Sequence, residues 1–213
     1  MAFRLAVLAS GTGSNLQVLI DRLHGRVAGI EVAVVISNVP GALALERAER
    51  ADIPTAVFPL EDYPDREARD LAMAEAIDLA RADLVVLAGY MQLLTPGFLR
   101  RFPYRVINLH PALLPSFPGD DAIKEAVDYG VKVSGVTVHF VDEGVDTGPV
   151  IRQEALPVHD GDDVVSLATK IHALEHQVLP RVIELFAKER VVPPAPGFRR
   201  VKVDDHEPSD IDW

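Results

Sequence analysis

The sequence predicts an α/β protein built on a doubly wound, mostly parallel sheet. Five short apolar runs have the length and composition of buried strands: residues 3–9, 31–37, 55–58, 84–88 and 105–109. The segments between them place apolar residues at helical spacing, as at Leu16, Leu19, Ile20 and Leu23. Strands that alternate with helices form parallel sheets covered on both faces, and ligands bind beyond the carboxyl ends of such strands.

The alternation changes after residue 130. Residues 131–141 and 149–157 have the pattern of two strands, and the turn-rich segment between them predicts an antiparallel hairpin. Apolar residues from position 162 to about 190 recur at helical spacing and predict a long helix, which Pro180 should kink or break. The expected architecture is a Rossmann-like sheet with an antiparallel C-terminal addition and a long C-terminal helix.

Length and composition favour one globular domain. The chain has 213 residues, of which 48% are hydrophobic and 25% charged. We expect a single domain over residues 1–190 and a C-terminal appendage over residues 191–213, formed by a strand and a loose end.

Charge and residue counts exclude several classes of function. The 21 basic and 32 acidic residues give a net charge of −11, which disfavours nonspecific binding to nucleic acid. The sequence has no cysteine, so disulfides, iron–sulfur clusters and cysteine-ligated zinc are excluded. It also has no stretch typical of a signal peptide or a membrane helix. We therefore expect a cytoplasmic protein without a membrane partner.

The first candidate site is the loop formed by Gly11, Thr12, Gly13, Ser14 and Asn15, between the first strand and the first helix. Glycines let backbone N–H groups approach an anion, and a helix N-terminus favours negative charge. The alternative is a tight turn in which Ser14 or Asn15 caps the helix. A dinucleotide motif fits poorly, because Leu16 occupies the third glycine position and the second strand ends without an acid. A phosphate monoester is the better expectation.

The second candidate site is Asn108 and His110, two residues apart at the end of the fifth strand and therefore on one face. An amide can stabilise an oxyanion, and an imidazole can move protons near neutral pH. These are the groups that attack of an amine on an acyl carbon requires. The alternative is a histidine with a purely structural role.

The third candidate is the acidic, glycine-flanked segment that contains Asp142 and Asp146. An aspartate here can orient His110 and favour its protonated form. The alternative is a solvated turn, because Asp and Gly are common turn residues. The spacing of His110, His139 and these two aspartates matches no known metal site.

The fourth candidate is His172, Glu175 and His176, a literal match to the zinc-peptidase pattern H-x-x-E-H. A zinc hydrolase would still need another protein ligand. Five-residue patterns with three fixed positions arise easily by chance, so the alternative is that these residues face solvent or the sheet.

Four segments occur in one order: SGTGSNLQ, LAGYMQLL, INLHPALLPSFPG and VHFVDEGVDTGPVI. In this combination the chain resembles the phosphoribosylglycinamide formyltransferases, from about residue 4 to residue 190. The resemblance implies formyl transfer from 10-formyltetrahydrofolate, a cosubstrate, to the amine of glycinamide ribonucleotide in purine synthesis. It implies small-molecule substrates, no metal, no tightly bound cofactor, and a monomer or homodimer.

The resemblance also implies roles for individual residues. Asn108, His110 and Asp146 correspond to the family's catalytic residues. The ribonucleotide is expected on Gly11 to Asn15, Pro111 and Glu175, and this role for Glu175 explains the zinc-like pattern without zinc. The folate is expected on Arg66, Met91, Gln92, Leu93, Leu94, Val141 and Asp142.

One departure from the family pattern lies after Gly119. The family usually has a histidine two residues later, whereas this chain has Asp120 and Asp121. We hypothesise a slower reaction, another pH preference, or the use of His139 instead.

Two relatives with the same motifs remain as alternatives, a formyltetrahydrofolate hydrolase and a formyltransferase acting on initiator tRNA. The length of the chain argues against the additional domains that both usually carry. From other classes, we keep the zinc hydrolase built on His172 and His176, and a binding module that uses only the glycine loop.

Overall fold

The structure is a computed structural model that describes residues 2–27 and 29–205. Its centre is a seven-stranded sheet with the strand order β3-β2-β1-β4-β5-β6-β7. Strands β1 to β5 are parallel, and β6 and β7 are antiparallel to their neighbours. The strands are β1 Phe3–Leu8, β2 Ile30–Ser37, β3 Thr55–Val57, β4 Leu84–Leu87, β5 Val106–His110, β6 Val133–Phe140 and β7 Val150–Pro157.

Helices cover both faces of the sheet. They are α1 Ser14–Arg22, α2 Leu43–Glu49, α3 Arg66–Leu79, α4 Pro96–Arg101, α5 Ala122–Tyr129 and α6 Val164–Ala187. Helices α1, α2, α5 and α6 contribute to one hydrophobic cluster, and α3 and α4 contribute to the other. Alternate residues of β1 enter different clusters, Leu5 and Val7 on one side and Ala6 and Leu8 on the other. The predicted doubly wound fold is confirmed.

The observed bounds differ from the predicted ones by a few residues at several ends. Strand β5 includes His110, which pairs with Thr137 of β6, so it ends one residue later than predicted. The hairpin strands and the long helix are shorter than predicted. Hydrogen-bond pairing with a neighbouring strand sets the strand ends, and the side-chain cap of Asp163 sets the start of the long helix.

Helix α6 runs through Pro180 without a break, so of the predicted kink or break the break does not occur. A proline cannot donate the N–H bond that the carbonyl four residues earlier would accept, here that of His176. The Arg22 guanidinium of α1 donates to the His176 carbonyl oxygen at 3.0 Å and replaces the missing donor. A contact between two distant helices therefore compensates for the proline.

The strand order reverses at β1, whose neighbours are β2 and β4. The loops after β1 and β4 leave the sheet beside this point, where open α/β sheets bind their ligands. Two hydrogen bonds join these loops: Ser10 N donates to the Gly89 carbonyl, and Met91 N donates to Ser10 Oγ, both at 2.9 Å. The sheet topology therefore places the glycine loop next to the LAGYMQLL segment.

After α6 the chain forms a small antiparallel ribbon from β8 Val191–Val192 and β9 Lys202–Val203. The expected loose end over residues 206–213 lies outside the described residues, and the domain division at residue 190 stays a prediction. Across residues 2–27 and 29–205, no helix combines the length and the apolar character needed to span a membrane.

Gly135 is required by the close approach of β6 and β7. A Cβ at this position would lie 2.1 Å from the Glu154 carbonyl oxygen. We expect Gly135→Ala to lower the free energy of unfolding by about 1–3 kcal/mol, because backbone atoms must move to admit the methyl group. Urea denaturation followed by circular dichroism measures this change.

The matched control is Gly161→Ala, because a Cβ at Gly161 meets no atom within 4 Å. Equal unfolding free energies for the two variants would contradict the steric argument.

Candidate active site

The candidate active site is centred on the carboxylate of Asp146. Its Oδ2 accepts a hydrogen bond from Gly119 N at 2.8 Å and lies 3.3 Å from His110 Nδ1. Its Oδ1 accepts from Asn108 Nδ2 at 3.2 Å and lies 3.5 Å from His139 Nε2. Side chains of Asn108, His110 and Asp146, which the sequence analysis selected from two distant segments, therefore meet in one cluster.

Strand pairing brings most of this cluster together. Asn108 and His110 lie two apart on β5 and share a face, and the β5–β6 register sets His139 opposite Asn108. Asn108 Nδ2 also lies 3.3 Å from His139 Nε2. Because His139 Nδ1 lies 2.8 Å from the Phe140 carbonyl oxygen and donates to it, Nε2 of the neutral ring is the acceptor for the Asn108 amide.

His110 is 3% exposed and is held from both sides of its ring. Its Nε2 lies 2.8 Å from the Phe117 carbonyl oxygen, which assigns the proton of the neutral ring to Nε2. The Nδ1 lone pair then points to Asp146. Burial lowers the pKa of His110 below its usual value, although Asp146 and the bond to Phe117 both act to raise it.

Asp146 acts in the expected direction, because its charge favours the protonated form of His110, but burial has the larger effect. Removal of the imidazole from water disfavours the cation by more than the neighbouring carboxylate favours it. The free protein presents a neutral ring with a basic nitrogen beside a carboxylate.

Asp146 itself is held as an anion. Burial opposes its ionisation, but the contact with His139, the Gly119 N–H bond and the charge of His110 outweigh burial and lower its pKa to about 2. Its backbone has φ of 52°, in the left-handed region that only a few residue types adopt readily. A residue under this constraint, with a carboxylate bonded on both oxygens, is typical of functional sites.

A cavity of about 300 Å³ opens on one side of the cluster. Asn108, His110 and Asp146 line it, together with the segments 89–94 and 141–146. Of the residues expected to bind folate, this wall contains Met91, Gln92, Leu93, Leu94, Val141 and Asp142.

Arg66 does not line this cavity. It lines an adjoining cavity of about 730 Å³ that shares Leu93, Leu94 and Glu143 with the first. Its guanidinium donates to the Leu93 carbonyl oxygen. The expected folate ligands therefore divide between two connected cavities.

A third cavity, of about 340 Å³, opens on the other side and contains the glycine loop, Pro111 and Glu175. Gly13 precedes α1 in the left-handed conformation, and no side chain caps the helix, so the alternative of a Ser14 or Asn15 cap is not observed. The first-turn N–H groups of a helix that lacks such a cap are free to bind an anion.

Glu175 reaches this cavity from α6. It is 6% exposed, and its Oε2 accepts from Asn15 Nδ2 at 3.0 Å. Burial raises the pKa of Glu175, against the bond from Asn15 and the charge of His172. Asn15 Oδ1 is buried and has no hydrogen-bond partner among the described residues, so it is an acceptor available to a ligand.

The zinc alternative lacks structural support. Glu175 is bonded to Asn15, and within the part of the chain that the structure describes no group of three or more His, Asp or Glu side chains is arranged to hold a metal ion.

Sequence reasoning missed several groups that shape the site. The Arg47 guanidinium donates to the Thr12 carbonyl at 2.8 Å and supports the glycine loop. The ion pair of Arg69 and Asp70, 2.7 Å apart and fully buried, holds the next loop, because Asp70 accepts from Thr95 N at 2.7 Å. The adjacent charged residues Arg69 and Asp70 on an otherwise apolar helix face could have indicated a buried ion pair from the sequence. The contacts of the Phe117 carbonyl and the Gly119 N–H could not, because every residue has these backbone groups.

Comparison with known proteins decides the family. The sequence matches the family described as "Formyl transferase" over residues 3–183. The chain belongs to the formyl transferase family.

Among individual relatives of this formyl transferase chain, the phosphoribosylglycinamide formyltransferase of Bacillus subtilis is 41% identical over 85% of this chain and 93% of its own length. The enzyme of that name from Mycobacterium tuberculosis is 45% identical over 88% of this chain and 86% of its own length. The crystal structure of glycinamide ribonucleotide transformylase 1 from Symbiobacterium toebii superposes with a TM-score of 0.90, at 46% identity, over 96% of this chain and 95% of that one.

Some relatives are much longer. The trifunctional purine biosynthetic protein adenosine-3 of Drosophila pseudoobscura is 44% identical over 98% of this chain, and the chain spans 15% of that protein's length. This formyl transferase chain therefore corresponds to one part of a larger polypeptide in such relatives.

The structure shows where Asp120 and Asp121 lie, the two residues at which this formyl transferase chain departs from the family pattern after Gly119. Asp121 precedes α5 as its N-cap residue and is exposed, whereas Asp120 lines the 300 Å³ cavity and acts to raise the pKa of His110. His139 lies inside the cluster, so an imidazole is present there without the one expected at position 121.

The electrostatic assignment of His110 can be tested by NMR titration. We expect Asp146→Asn to lower the pKa of His110 further, because the substitution removes the negative charge that raises it while burial remains. The chemical shifts of the His110 imidazole, followed over pH, measure the change.

Asp142→Asn is the control, since it removes a charge from the same loop and Asp142 bonds to Thr147 and Gly144. A His110 pKa in Asp146→Asn that is equal to or above the parental value would contradict the assignment.

Proposed function

We propose that the chain transfers a formyl group from 10-formyltetrahydrofolate to the amine of N1-(5-phospho-D-ribosyl)glycinamide in purine synthesis. The observation that carries the proposal is the placement of the cluster between two cavities. The 300 Å³ and 340 Å³ cavities share Gly89, Met91, Leu109 and Pro111 as walls. A nucleotide in one cavity and a pterin in the other would meet beside Asn108 and His110.

The ribonucleotide is assigned to the cavity of the glycine loop. Backbone N–H groups at the start of α1 are suited to the phosphate, since the helix begins at Gly13 without a side-chain cap. Glu175 is the acceptor for ribose hydroxyls, and the unpaired Oδ1 of Asn15 is an acceptor for an N–H of the glycinamide end. Pro111 supplies apolar contact on the cluster side of the cavity.

The folate is assigned to the 300 Å³ cavity. Its walls combine apolar side chains, such as Leu87 and Leu94, with backbone groups of segments 89–94 and 141–146. A flat heterocycle is bound in this way, by apolar faces and a few directed polar groups. Arg66, in the adjoining 730 Å³ cavity, is the cation for the anionic end of the folate.

In the chemical step, the amine nitrogen forms a bond to the formyl carbon, and the carbonyl oxygen becomes an oxyanion. The Asn108 amide donates to this oxygen by exchanging its contact with His139 for one with the substrate. Positioning of the two substrates across the shared walls accounts for much of the remaining rate.

The proton of the attacking amine passes through water to the pair formed by His110 and Asp146, because the Nδ1 lone pair itself faces the carboxylate. The imidazolium that forms is stabilised by the Asp146 carboxylate, which lies 3.3 Å away and is ionised throughout. When the bond between the formyl carbon and N10 breaks, this proton moves to N10 and the imidazole is again neutral. The charge on His110 therefore arises during the reaction instead of preceding it.

The names of the relatives support a transferase and do not support the formyltetrahydrofolate hydrolase alternative. A cytoplasmic location, the absence of a tightly bound cofactor, the absence of nucleic-acid partners, and a monomeric or homodimeric state stay predictions.

The reaction is tested by an absorbance assay with both substrates. We expect deformylation that depends on the acceptor, and a loss of about 10²–10⁴-fold in kcat for each of Asn108→Ala, His110→Ala and Asp146→Ala, because each removes a group that stabilises charge or moves a proton. His159→Ala, at an exposed histidine outside both cavities, is the matched control. A folded variant with a near-parental rate would refute the role of its residue, and deformylation without acceptor would favour the hydrolase.

The assignment of Glu175 is tested separately. We expect Glu175→Gln to raise KM for the ribonucleotide about tenfold, because a charged acceptor for ribose hydroxyls is lost, and to leave KM for the folate unchanged. The control is Glu184→Gln on the same helix, where Glu184 pairs with Lys188 instead. A change in the folate KM alone would place the two substrates the other way round.

A further inference from the structure

The loop that carries Asp146 is in contact with the end of the chain. We call residues 191–205, which comprise β8, β9 and their connection, the C-terminal strap. The Arg199 guanidinium donates to the carbonyl oxygens of Thr147 and Gly148, at 3.2 Å for Gly148. We propose that Arg199 is a positioning residue that holds the Asp146 loop against the catalytic cluster. This inference rests on the proposed function.

The strap is braced against the body of the protein. Val191 pairs with Val203, and Asp204 N donates to the Arg190 carbonyl at 3.0 Å. Asp205 forms ion pairs with Arg152 of β7 at 2.5 Å and with Arg181 of α6 at 3.7 Å. Arg199 therefore extends from a frame fixed to both the sheet and the long helix.

The loop has internal order but strained backbone at its functional residue. Thr147 Oγ1 donates to Asp142 Oδ1 at 2.6 Å, and Gly144 N donates to the same oxygen at 3.2 Å. The left-handed backbone at Asp146 costs free energy that surrounding contacts must supply. Arg199 supplies them from outside the loop, at the two carbonyl groups that directly follow Asp146.

The end of the loop tolerates little movement. A Cβ at Gly148 would lie 1.6 Å from the Phe140 carbonyl oxygen, so the backbone of Gly148 is in close contact with β6. With Gly148 fixed there, a bond from Arg199 to the Thr147 carbonyl restrains the peptide between Thr147 and Gly148, one residue after Asp146. Loss of this bond allows the Asp146 carboxylate to move away from His110 and Asn108.

The position of the loop predicts which substrate is affected. Residues 141–146 line the 300 Å³ cavity and are absent from the walls of the 340 Å³ cavity. A loosened loop should therefore impair use of the formyl donor and the chemical step, and should leave ribonucleotide binding intact.

The test compares Arg199→Gln, Arg199→Lys and the control Arg200→Gln. Arg200 is the adjacent exposed arginine, and the structure assigns it no hydrogen bond or ion pair among the described residues. We expect Arg199→Gln to lower kcat/KM for 10-formyltetrahydrofolate about 3- to 10-fold, the size of an exposed charge-assisted hydrogen bond, with KM for the ribonucleotide unchanged. Arg199→Lys should retain part of the activity, because an ammonium group also donates to carbonyl oxygens.

Hydrogen exchange of the amides in residues 142–148 gives a readout that does not depend on activity. We expect faster exchange in Arg199→Gln than in Arg200→Gln. Three outcomes would each overturn the proposal: parental kinetics and exchange in Arg199→Gln, an equal loss in Arg200→Gln, or a lower unfolding midpoint in Arg199→Gln with parental exchange in residues 142–148. If the parental protein shows no acceptor-dependent transfer, the proposed function fails, and the exchange comparison still decides whether Arg199 holds the loop.

Discussion

The organisation of the site depends on one carboxylate that is bonded on all sides. Asp146 receives an N–H from the backbone at Gly119, an amide hydrogen from Asn108, and contacts from two imidazoles. These groups come from β5, β6 and the segment after β5, and Asp146 itself lies in the loop after β6, so the contacts join four parts of the chain. The hydrogen bonds from Gly119 N and Asn108 Nδ2 stabilise this half-buried anion, whereas the same anion without them would be neutralised or expelled.

The sheet topology explains why this point lies between two cavities. The reversal of strand order at β1 places the loops after β1 and β4 side by side, and Gly89 and Met91 after β4 line both cavities. The antiparallel strands β6 and β7 then add a loop that parallel crossovers do not provide, and this loop carries Asp146. The antiparallel addition thus completes the cluster around Asp146 and supplies one wall of the 300 Å³ cavity.

The electrostatics of the cluster agree with the proposed reaction, in which the charge on His110 appears only during formyl transfer. His110 is buried and its pKa is lowered, while Asp146 stays ionised beside it. A neutral imidazole next to a fixed carboxylate gains a proton favourably when a substrate amine releases one, and no charge must be stored in the ring beforehand. The left-handed backbone at Asp146 costs conformational free energy. The proposed contact of Arg199 with the same loop would help to hold the carboxylate in place against this cost.

The sequence by itself determined the fold class and the chemical identity of the central groups. Alternating apolar strands and amphipathic helices require a doubly wound sheet, and Asn108 and His110 share a face because side chains alternate along a strand. Only the tertiary structure decided the rest. The neutral state of His110 follows from burial, and the unbroken helix at Pro180 follows from the contact of Arg22 with the His176 carbonyl. Contacts of backbone groups, such as the Phe117 carbonyl with His110 and the Thr147 carbonyl with Arg199, carry no side-chain signature, so no pattern of residue types can reveal them.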